Sequence, residues 1–329
     1  MSLALLGPAL AFSLCELGFR LVEKIQLARA GELWAVYEPE LGWRLNPNYG
    51  DHNALGLRDR PVTPKDGRER ILFLGDSVLY YGDGVDDTLV GHLRAELDTA
   101  APGTIDVVNA GVKGYTNWQE LQFLERHGLA LEPDLVGVGF VLNDCYRMLH
   151  QFQVEDGRIV GQGYGFSAEA VSAESWLRRT LRRSHFLVWL RRCLPAVEGV
   201  PPGGFTFDHR PDFYTAWQDE PWLAIESQLR EMVDLGQAHG FGVFLVALPF
   251  GDQYRKEYLE RDRDYVLKPQ RKIAEICDRL GIPHLDLYPL LDGRSDLDQD
   301  GIHLSKSGRV NAAGKIARFI REQGLLRRP

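Results

Sequence analysis

The sequence has few cysteines and no excess of positive charge. Its four cysteines, Cys15, Cys145, Cys193 and Cys277, lie far apart and form neither CxxC pairs nor any other metal-type spacing. We therefore expect no disulfide scaffold, and the cysteines do not indicate a compartment. The formal net charge is −8, which argues against a general nucleic-acid-binding protein.

The sequence also lacks a long hydrophobic run. Residues 3–15 are apolar apart from Ser13, but Glu16 ends a run that is too short for an ordinary membrane span. Three interpretations of the segment 1–36 stay open: a truncated membrane anchor, an amphipathic N-terminal helix packed on the domain, and a degraded signal peptide. No basic region precedes the run, and Leu14 is too large for a typical cleavage site.

Several signature motifs are missing as well. There is no GxSxG nucleophile elbow, no P-loop, no GxGxxG after a strand and no HExxH. These absences argue against three classes of protein: α/β-hydrolases with a nucleophile elbow, nucleotide-binding folds and zinc metalloproteases. We predict no metal and no cofactor.

What the sequence does contain is an alternation of apolar strands and amphipathic helices. The 329 residues are 44% hydrophobic and 26% charged, which suits one large α/β domain with insertions, or two domains. Apolar runs predict strands at 70–75, 105–109, 135–142, 242–248 and 283–287. Helices are predicted from Thr88, from Asn117 (with capping-box spacing to Glu120), and at 222–239, 266–280 and 305–323. This order predicts parallel βαβ units.

Two stretches interrupt the alternation. Residues 37–68 are rich in Pro, Gly, Asn and Asp and predict an extended lead-in. Residues 146–221 predict an insertion over or beside the site. Within it, the arginine-rich segment 176–192 suits either a solvated helix face or a contact with a membrane surface or an anionic substrate. The aromatic residues between 205 and 222 suit either the core of the insertion or a platform for an acyl or sugar group.

The stretch 71–80 (Ile-Leu-Phe-Leu-Gly-Asp-Ser-Val-Leu-Tyr) organises the rest of the chain. Its continuous apolar run is typical of a central parallel strand that is covered on both faces, and it ends in a tight turn at Gly75-Asp76-Ser77. Sites in open α/β sheets gather at the carboxyl ends of strands, so Ser77 stands where a nucleophile would be placed. A serine nucleophile requires a base, a group that orients the base, and oxyanion donors.

Asp300-Gly301-Ile302-His303 supplies a base and its orienting group. The motif lies in a polar loop just before the last predicted helix. A carboxylate three residues before a histidine can fold back onto the imidazole Nδ1–H within one turn. Nε2 is then left to accept a proton from Ser77.

Oxyanion donors are predicted after the neighbouring strands. The stretch 109–114 (Asn-Ala-Gly-Val-Lys-Gly) follows the second strand, where a glycine lets a backbone N–H approach a substrate closely. Asn143 follows the third strand and carries a side-chain amide that can donate. Ser77, Gly114 and Asn143 should therefore lie along one edge of the sheet.

These four blocks resemble those of the SGNH (GDSL-type) hydrolases, and the resemblance covers about residues 69–325. It implies a flavodoxin-like three-layer α/β/α sandwich with a mainly parallel sheet, and metal-independent hydrolysis through an acyl-enzyme. It also implies that Ser77 is the nucleophile, that His303 is the base and that Asp300 orients it. Ser77, Gly114 and Asn143 would form the oxyanion hole, with Gly111 as a second candidate for the glycine. Val78-Leu79 and Val141 depart from the usual pattern and should alter the pocket more than the triad.

The function predicted from the sequence is that of a serine esterase acting on O-acyl esters, with a small-molecule, glycan or lipid ester as substrate. An O-acyltransferase acting on carbohydrate and a membrane-tethered non-catalytic binding protein are the alternatives. The lead-in around Gly42-Trp43 and Gly56-Leu57-Arg58-Asp59 resembles that of membrane-anchored bacterial members. This favours membrane association through the N-terminus and a cell-envelope location over a cytoplasmic one.

Overall fold

A five-stranded parallel sheet forms the centre of the molecule. The computed structural model describes residues 7, 10–21, 33–146, 150–155, 157–164, 204–209 and 213–326. The sheet has the order β4-β3-β5-β8-β9, formed by strands β3 (Glu69–Gly75), β4 (Ile105–Gly111), β5 (Leu135–Phe140), β8 (Gly242–Ala247) and β9 (His284–Asp286). All residues of β3 are buried, as the continuous apolar run predicted for a strand covered on both faces.

Helices cover both faces of this sheet. Because successive side chains of a strand point to opposite faces, Ile71 and Phe73 join one core and Leu72 and Leu74 the other. The first core is closed by helices α3 (Leu89–Ala100) and α8 (Lys306–Glu322), and the second by α4 (Asn117–Phe123), α5 (Pro221–His239) and α7 (Lys268–Leu280). The predicted three-layer α/β/α arrangement with a parallel sheet is confirmed.

The helices agree with the sequence predictions except for one cap and one additional helix. Thr88 caps α3 by accepting a hydrogen bond from the Gly91 amide at 3.0 Å. The capping box predicted for Asn117–Glu120 is wrong: Thr116 is the cap residue, and the Asn117 side-chain amide instead donates to Gln228 at 2.8 Å. The structure also has a helix that was not predicted, α6 (Lys256–Val266), directly before α7.

The lead-in is more structured than its composition predicts. It contains an antiparallel hairpin, β1 (Ala35–Glu38) with β2 (Gly42–Leu45), and four of its side chains are almost completely buried in the core: Leu41, Trp43, Leu45 and Leu57. Tyr115 donates its hydroxyl hydrogen bond to the Trp43 carbonyl at 2.7 Å. The segment therefore packs as part of the domain.

The remaining segments are described only in part. Residues 10–21 form helix α1, and no helix in the described part of the chain has both the length and the apolar character to cross a bilayer. The predicted insertion contributes a hairpin, β6 (His150–Glu155) with β7 (Arg158–Tyr164), whereas the arginine-rich segment 176–192 lies outside the described residues. The aromatic residues at its end are core residues rather than an exposed platform: Phe205, Phe207, Phe213, Trp217 and Trp222 are all buried.

Candidate active site

Ser77 begins a single-turn helix, α2 (Ser77–Tyr80), at the carboxyl end of the central strand β3. Asp76 caps this helix, because its Oδ1 accepts a hydrogen bond from the Val78 amide at 2.8 Å. The backbone N–H of Ser77 stands at the first helical position, where the helix itself offers no acceptor. The nucleophile candidate is thus held on a sharp strand-to-helix turn with its side chain half-buried.

His303 and Asp300 meet Ser77 from a loop that precedes α8. The His303 Nε2 atom lies 2.9 Å from the Ser77 Oγ, and the His303 Nδ1 atom lies 2.5 Å from the Asp300 Oδ2. Gly301, with φ of 70°, allows the tight turn between them. The three residues that the sequence analysis named as a triad are therefore hydrogen-bonded in the expected order.

The other carboxylate oxygen of Asp300 is fixed by the backbone. Its Oδ1 accepts hydrogen bonds from the amides of Ile302 and His303 at 2.8 and 3.0 Å. Partial burial opposes ionisation, but these bonds and the His303 side chain together lower the pKa of Asp300. A carboxylate that stays ionised and oriented can hold the imidazole in the tautomer with its proton on Nδ1.

The Asn143 side chain is hydrogen-bonded to Asp76, the residue directly before Ser77. Its side-chain Nδ2 donates to the Asp76 Oδ2 at 2.9 Å, and Asp76 is completely buried. Because a side-chain amide carries two N–H groups, this bond leaves one for a ligand. The role of Asp76 as the anchor of Asn143 was not predicted, although the Gly75-Asp76-Ser77 motif already contained the residue.

The two glycine candidates differ in what their amides do. The Gly111 amide donates to the Asn109 Oδ1 at 2.9 Å, and a Cβ at this position would lie 2.6 Å from the Leu79 Cβ. Gly111 thus allows α2 to pack closely on β4. Gly114 adopts a left-handed conformation, with φ of 72°, and within the described residues its amide has no hydrogen-bond acceptor. The Gly114 N–H is the one that is left for an oxyanion.

Two more carboxyl groups lie buried behind the site. Burial and the neighbouring charge of Asp76 raise the pKa of Glu120 well above its ordinary value. Burial, then Glu120 and Asp76, raise the pKa of Asp144 in the same direction. Among the described residues, neither carboxylate oxygen of Glu120 has a hydrogen-bond partner, nor does the Asn143 Oδ1. Such surroundings favour the protonated, uncharged form of a carboxyl group.

The lead-in braces the strand ends that carry the site. Asp59 accepts a hydrogen bond from the Asn109 amide at 2.7 Å and pairs with Arg94 at 2.5 Å. Arg58 donates to the carbonyls of Tyr80 and Gly82 at 2.6 and 3.0 Å. These contacts were not predicted, because the Gly56-Leu57-Arg58-Asp59 stretch was interpreted only through its resemblance to membrane-anchored family members.

Among the residues that the structure describes, no group of three or more histidine, cysteine or acidic side chains has an arrangement that could hold a metal ion. Cys145, beside Asp144, is buried, and burial raises the pKa of its thiol well above the ordinary value. Such a thiol packs as an apolar side chain and is a poor nucleophile. At this edge of the sheet the Ser77 hydroxyl, the His303 imidazole and the Asp300 carboxylate are hydrogen-bonded in series.

Residues 73–309 match the model of the GDSL-like lipase/acylhydrolase family. No curated protein sequence matches the chain.

Among solved structures, the chain is similar to TesA (14% identity, 78% of this chain and 100% of that chain, TM-score 0.47). It is also similar to a lipase/acylhydrolase from Enterococcus faecalis (18% identity, 78% and 96%, TM-score 0.45). A third similar structure is a catalytic mutant of an acetylxylan esterase from Geobacillus stearothermophilus (19% identity, 80% and 98%, TM-score 0.44).

Proposed function

The chain belongs to the GDSL-like lipase/acylhydrolase family, and on this premise we propose that it is a serine esterase whose triad is Ser77, His303 and Asp300. The observation that carries the proposal is the pair of bonds from Ser77 Oγ to His303 Nε2 (2.9 Å) and from His303 Nδ1 to Asp300 (2.5 Å). Their order is the one required for a base to take a proton from a hydroxyl.

Acylation begins with the attack of the Ser77 Oγ on the ester carbonyl carbon. His303 Nε2 accepts the hydroxyl proton as the O–C bond forms, and ionised Asp300 stabilises the resulting imidazolium. The competing acceptor, Asp76 Oδ2, lies 3.4 Å from the Ser77 Oγ and is therefore the weaker partner. His303 then returns the proton to the leaving alcohol, and water releases the acid by the same steps.

Three donors support the oxyanion in this proposal. They are the backbone amides of Ser77 and Gly114 and the free N–H of the Asn143 side chain. The bond from Asn143 to buried Asp76 fixes the amide before the reaction, which is what makes such donors effective when charge develops. Loss of one such donor typically lowers kcat about 10²–10³-fold.

The solvent exposure of His303 and Asp300 favours hydrolysis over acyl transfer. The side chains of His303 and Asp300 are 21% and 45% exposed, so water can reach the imidazole. Transfer to a carbohydrate hydroxyl uses the same triad but benefits from a site that excludes water. A glycan or lipid ester as substrate, and attachment to a membrane through the N-terminal segment, remain predictions from the sequence.

Hydrolysis of p-nitrophenyl esters, from acetate to decanoate, tests the proposal. We expect Ser77→Ala to lower kcat/KM by at least about 10³-fold and Asp300→Asn by about 10³–10⁴-fold, with the fold retained. Ser227→Ala, a change of an exposed serine on α5, is the matched control and should retain wild-type rates. A folded wild type that hydrolyses no ester, or a Ser77→Ala variant with wild-type rates, would reject the esterase. Ester consumption that requires an added sugar acceptor would favour transfer.

A further inference from the structure

Lys113 lies among aromatic rings that adjoin His303, and no carboxylate pairs with it among the residues that the structure describes. The Lys113 Nζ atom lies 4.5 Å from the centre of the Tyr80 ring, 4.8 Å from that of Trp34 and 5.7 Å from that of Tyr81. We call these three rings the aromatic cradle. Lys113 directly precedes Gly114, the residue whose amide faces the oxyanion in the proposed reaction. Lys113 belongs to the 109–114 stretch, whose sequence alone predicts no role for the lysine.

The aromatic cradle is continuous with the triad. Tyr80 and Tyr81 lie three and four residues after Ser77, at the end of α2, and the Tyr81 ring packs edge-on against the His303 ring with the ring centres 4.6 Å apart. The Tyr80 hydroxyl is hydrogen-bonded to the His52 Nε2 at 2.9 Å. The rings that hold the Lys113 ammonium therefore have fixed positions relative to the reacting atoms.

The surroundings of the Lys113 ammonium are apolar and positive. Arg58 lies over the same Tyr80 ring, at 4.9 Å from its centre. Burial, and then the charge of Arg58, lower the pKa of Lys113, and within the described residues no carboxylate pairs with it. Lys306, by contrast, has Asp83 and Asp87 within 4.0 Å. Contacts with aromatic faces return only part of the hydration that a cation loses on burial, and no negative group among the described residues supplies the rest.

We propose that Lys113 binds a negatively charged group of the substrate, a carboxylate or a phosphate, so that the enzyme prefers anionic esters. The inference rests on the proposed function, because it concerns the substrate of that same site. A charge-assisted hydrogen bond from an ammonium to such a group would replace the missing counter-charge. The flat faces of Trp34 and Tyr81 would contact the carbon skeleton next to the charge. Lys113 thus acts as a specificity-determining residue.

Matched pairs of esters test this inference. On the acyl side, mono(4-nitrophenyl) glutarate is compared with 4-nitrophenyl valerate, which has the same chain length without the charge. On the alcohol side, 4-acetoxybenzoate is compared with 4-methylphenyl acetate. The quantity measured is the ratio of kcat/KM for the anionic ester to that for the neutral ester, so a general loss of activity in a variant cancels.

For the side of the ester that faces Lys113, we expect the wild-type ratio to exceed that of Lys113→Met by about tenfold or more. Lys113→Arg should keep most of the preference, and 0.5 M salt should reduce it in the wild type. Lys256→Met, which changes an 85% exposed lysine on α6, is the control and should keep the wild-type ratio. Thermal unfolding verifies that each variant is folded.

The outcomes separate this inference from the esterase proposal. Ser77-dependent hydrolysis with equal ratios in the wild type and Lys113→Met overturns the role of Lys113 and leaves the esterase intact. A lower melting temperature of Lys113→Met with an unchanged ratio assigns Lys113 a packing role only, which also overturns the inference. Absence of hydrolysis of any ester rejects the esterase and, with it, the anionic substrate.

Discussion

At the scale of single residues, the position of Asn143 in the candidate site depends on buried groups that never touch a substrate in the proposed reaction. Asp76 fixes the side chain of Asn143, and behind it lie the carboxyl groups of Glu120 and Asp144. Because three ionised carboxylates in one apolar region would repel one another, burial and this repulsion both favour the protonated form of the deeper pair.

Glu120→Gln tests this protonation. Burial raises the pKa of Glu120 well above the ordinary 4.5, so the folded protein keeps a proton that the unfolded chain loses as the pH rises. The free energy of unfolding of the wild type should therefore fall as the pH rises from the unfolded-state pKa of Glu120 towards its folded-state pKa. The slope for this group is at most about 1.4 kcal/mol per pH unit, whereas glutamine has no proton to lose. Urea unfolding between pH 5 and 9 should show the variant gaining stability relative to the wild type. Glu125→Gln, at an exposed position one turn later, should show no such trend. If the unfolding free energies of the wild type and Glu120→Gln differ by the same amount at all pH values, Glu120 is ionised in the folded protein.

At the scale of elements, helix α8 both positions His303 and closes the core against α3. Its N-terminus is capped by Ser305, whose Oγ accepts a hydrogen bond from the Gly308 amide at 3.0 Å. Arg309 anchors the first turn to the loop before α3, through a bond to the Asp87 carbonyl at 2.7 Å. The loop that carries Asp300 and His303 ends directly at this anchored turn, so the packing of α8 sets where the imidazole lies.

Two glycines of α8 should respond oppositely to alanine. A Cβ on Gly308 would lie 1.9 Å from the Asp296 carbonyl oxygen, whereas a Cβ on Gly314 would meet nothing within 4 Å. We expect Gly308→Ala to destabilise the protein by at least about 2 kcal/mol and to lower kcat, because the loop must shift. Gly314→Ala should stabilise it by about 0.5–1 kcal/mol at unchanged kcat, since alanine has the higher helix propensity. Chemical denaturation with the ester assay measures both. Equal effects of the two changes would contradict the close contact at Gly308.

At the scale of the whole molecule, the lead-in and the sheet form one core. The sequence predicts a boundary at 69, yet the side chains of Leu41, Trp43, Leu45 and Leu57 are at most 2% exposed. Asp59 ties the same segment to α3 through its ion pair with Arg94 and to β4 through the Asn109 amide. Trp34, just before the lead-in, adds a ring to the aromatic cradle. The chain ahead of β3 therefore contributes to the core, to the brace of the strand ends and to the proposed substrate site.

Truncation tests where the folding unit begins. A chain of residues 33–329 should unfold cooperatively and retain esterase activity. A chain of residues 69–329 should not fold, because each large apolar side chain that is lost removes about 1.5–3 kcal/mol of burial from a domain whose total stability is about 5–15 kcal/mol. Circular dichroism melting and the ester assay distinguish the two chains. A folded and active 69–329 chain would restore the boundary that the composition predicts.

The order of the strands and helices was predictable because buried parallel strands are continuous apolar runs and amphipathic helices repeat every three to four residues. Both signals are local. The candidates Ser77, Asn143, Asp300 and His303 were also found locally, since each lies in a short motif at the end of an element. The capping box at Asn117 failed for the opposite reason. Its side chain donates instead to Gln228, which lies 111 residues away.

The sequence by itself determined the parallel α/β class, the strand that presents Ser77 and the short polar motifs, because these follow from hydrophobic period and from side chains within one turn of each other. The tertiary structure alone decided that His303 meets Ser77 across 226 residues and that Asp76 holds Asn143. It also decided that the ring of Trp34 and a ring from α2 lie against Lys113. Those contacts depend on which distant surfaces the chain buries against each other, and pairings of that kind leave no periodic trace in a single sequence.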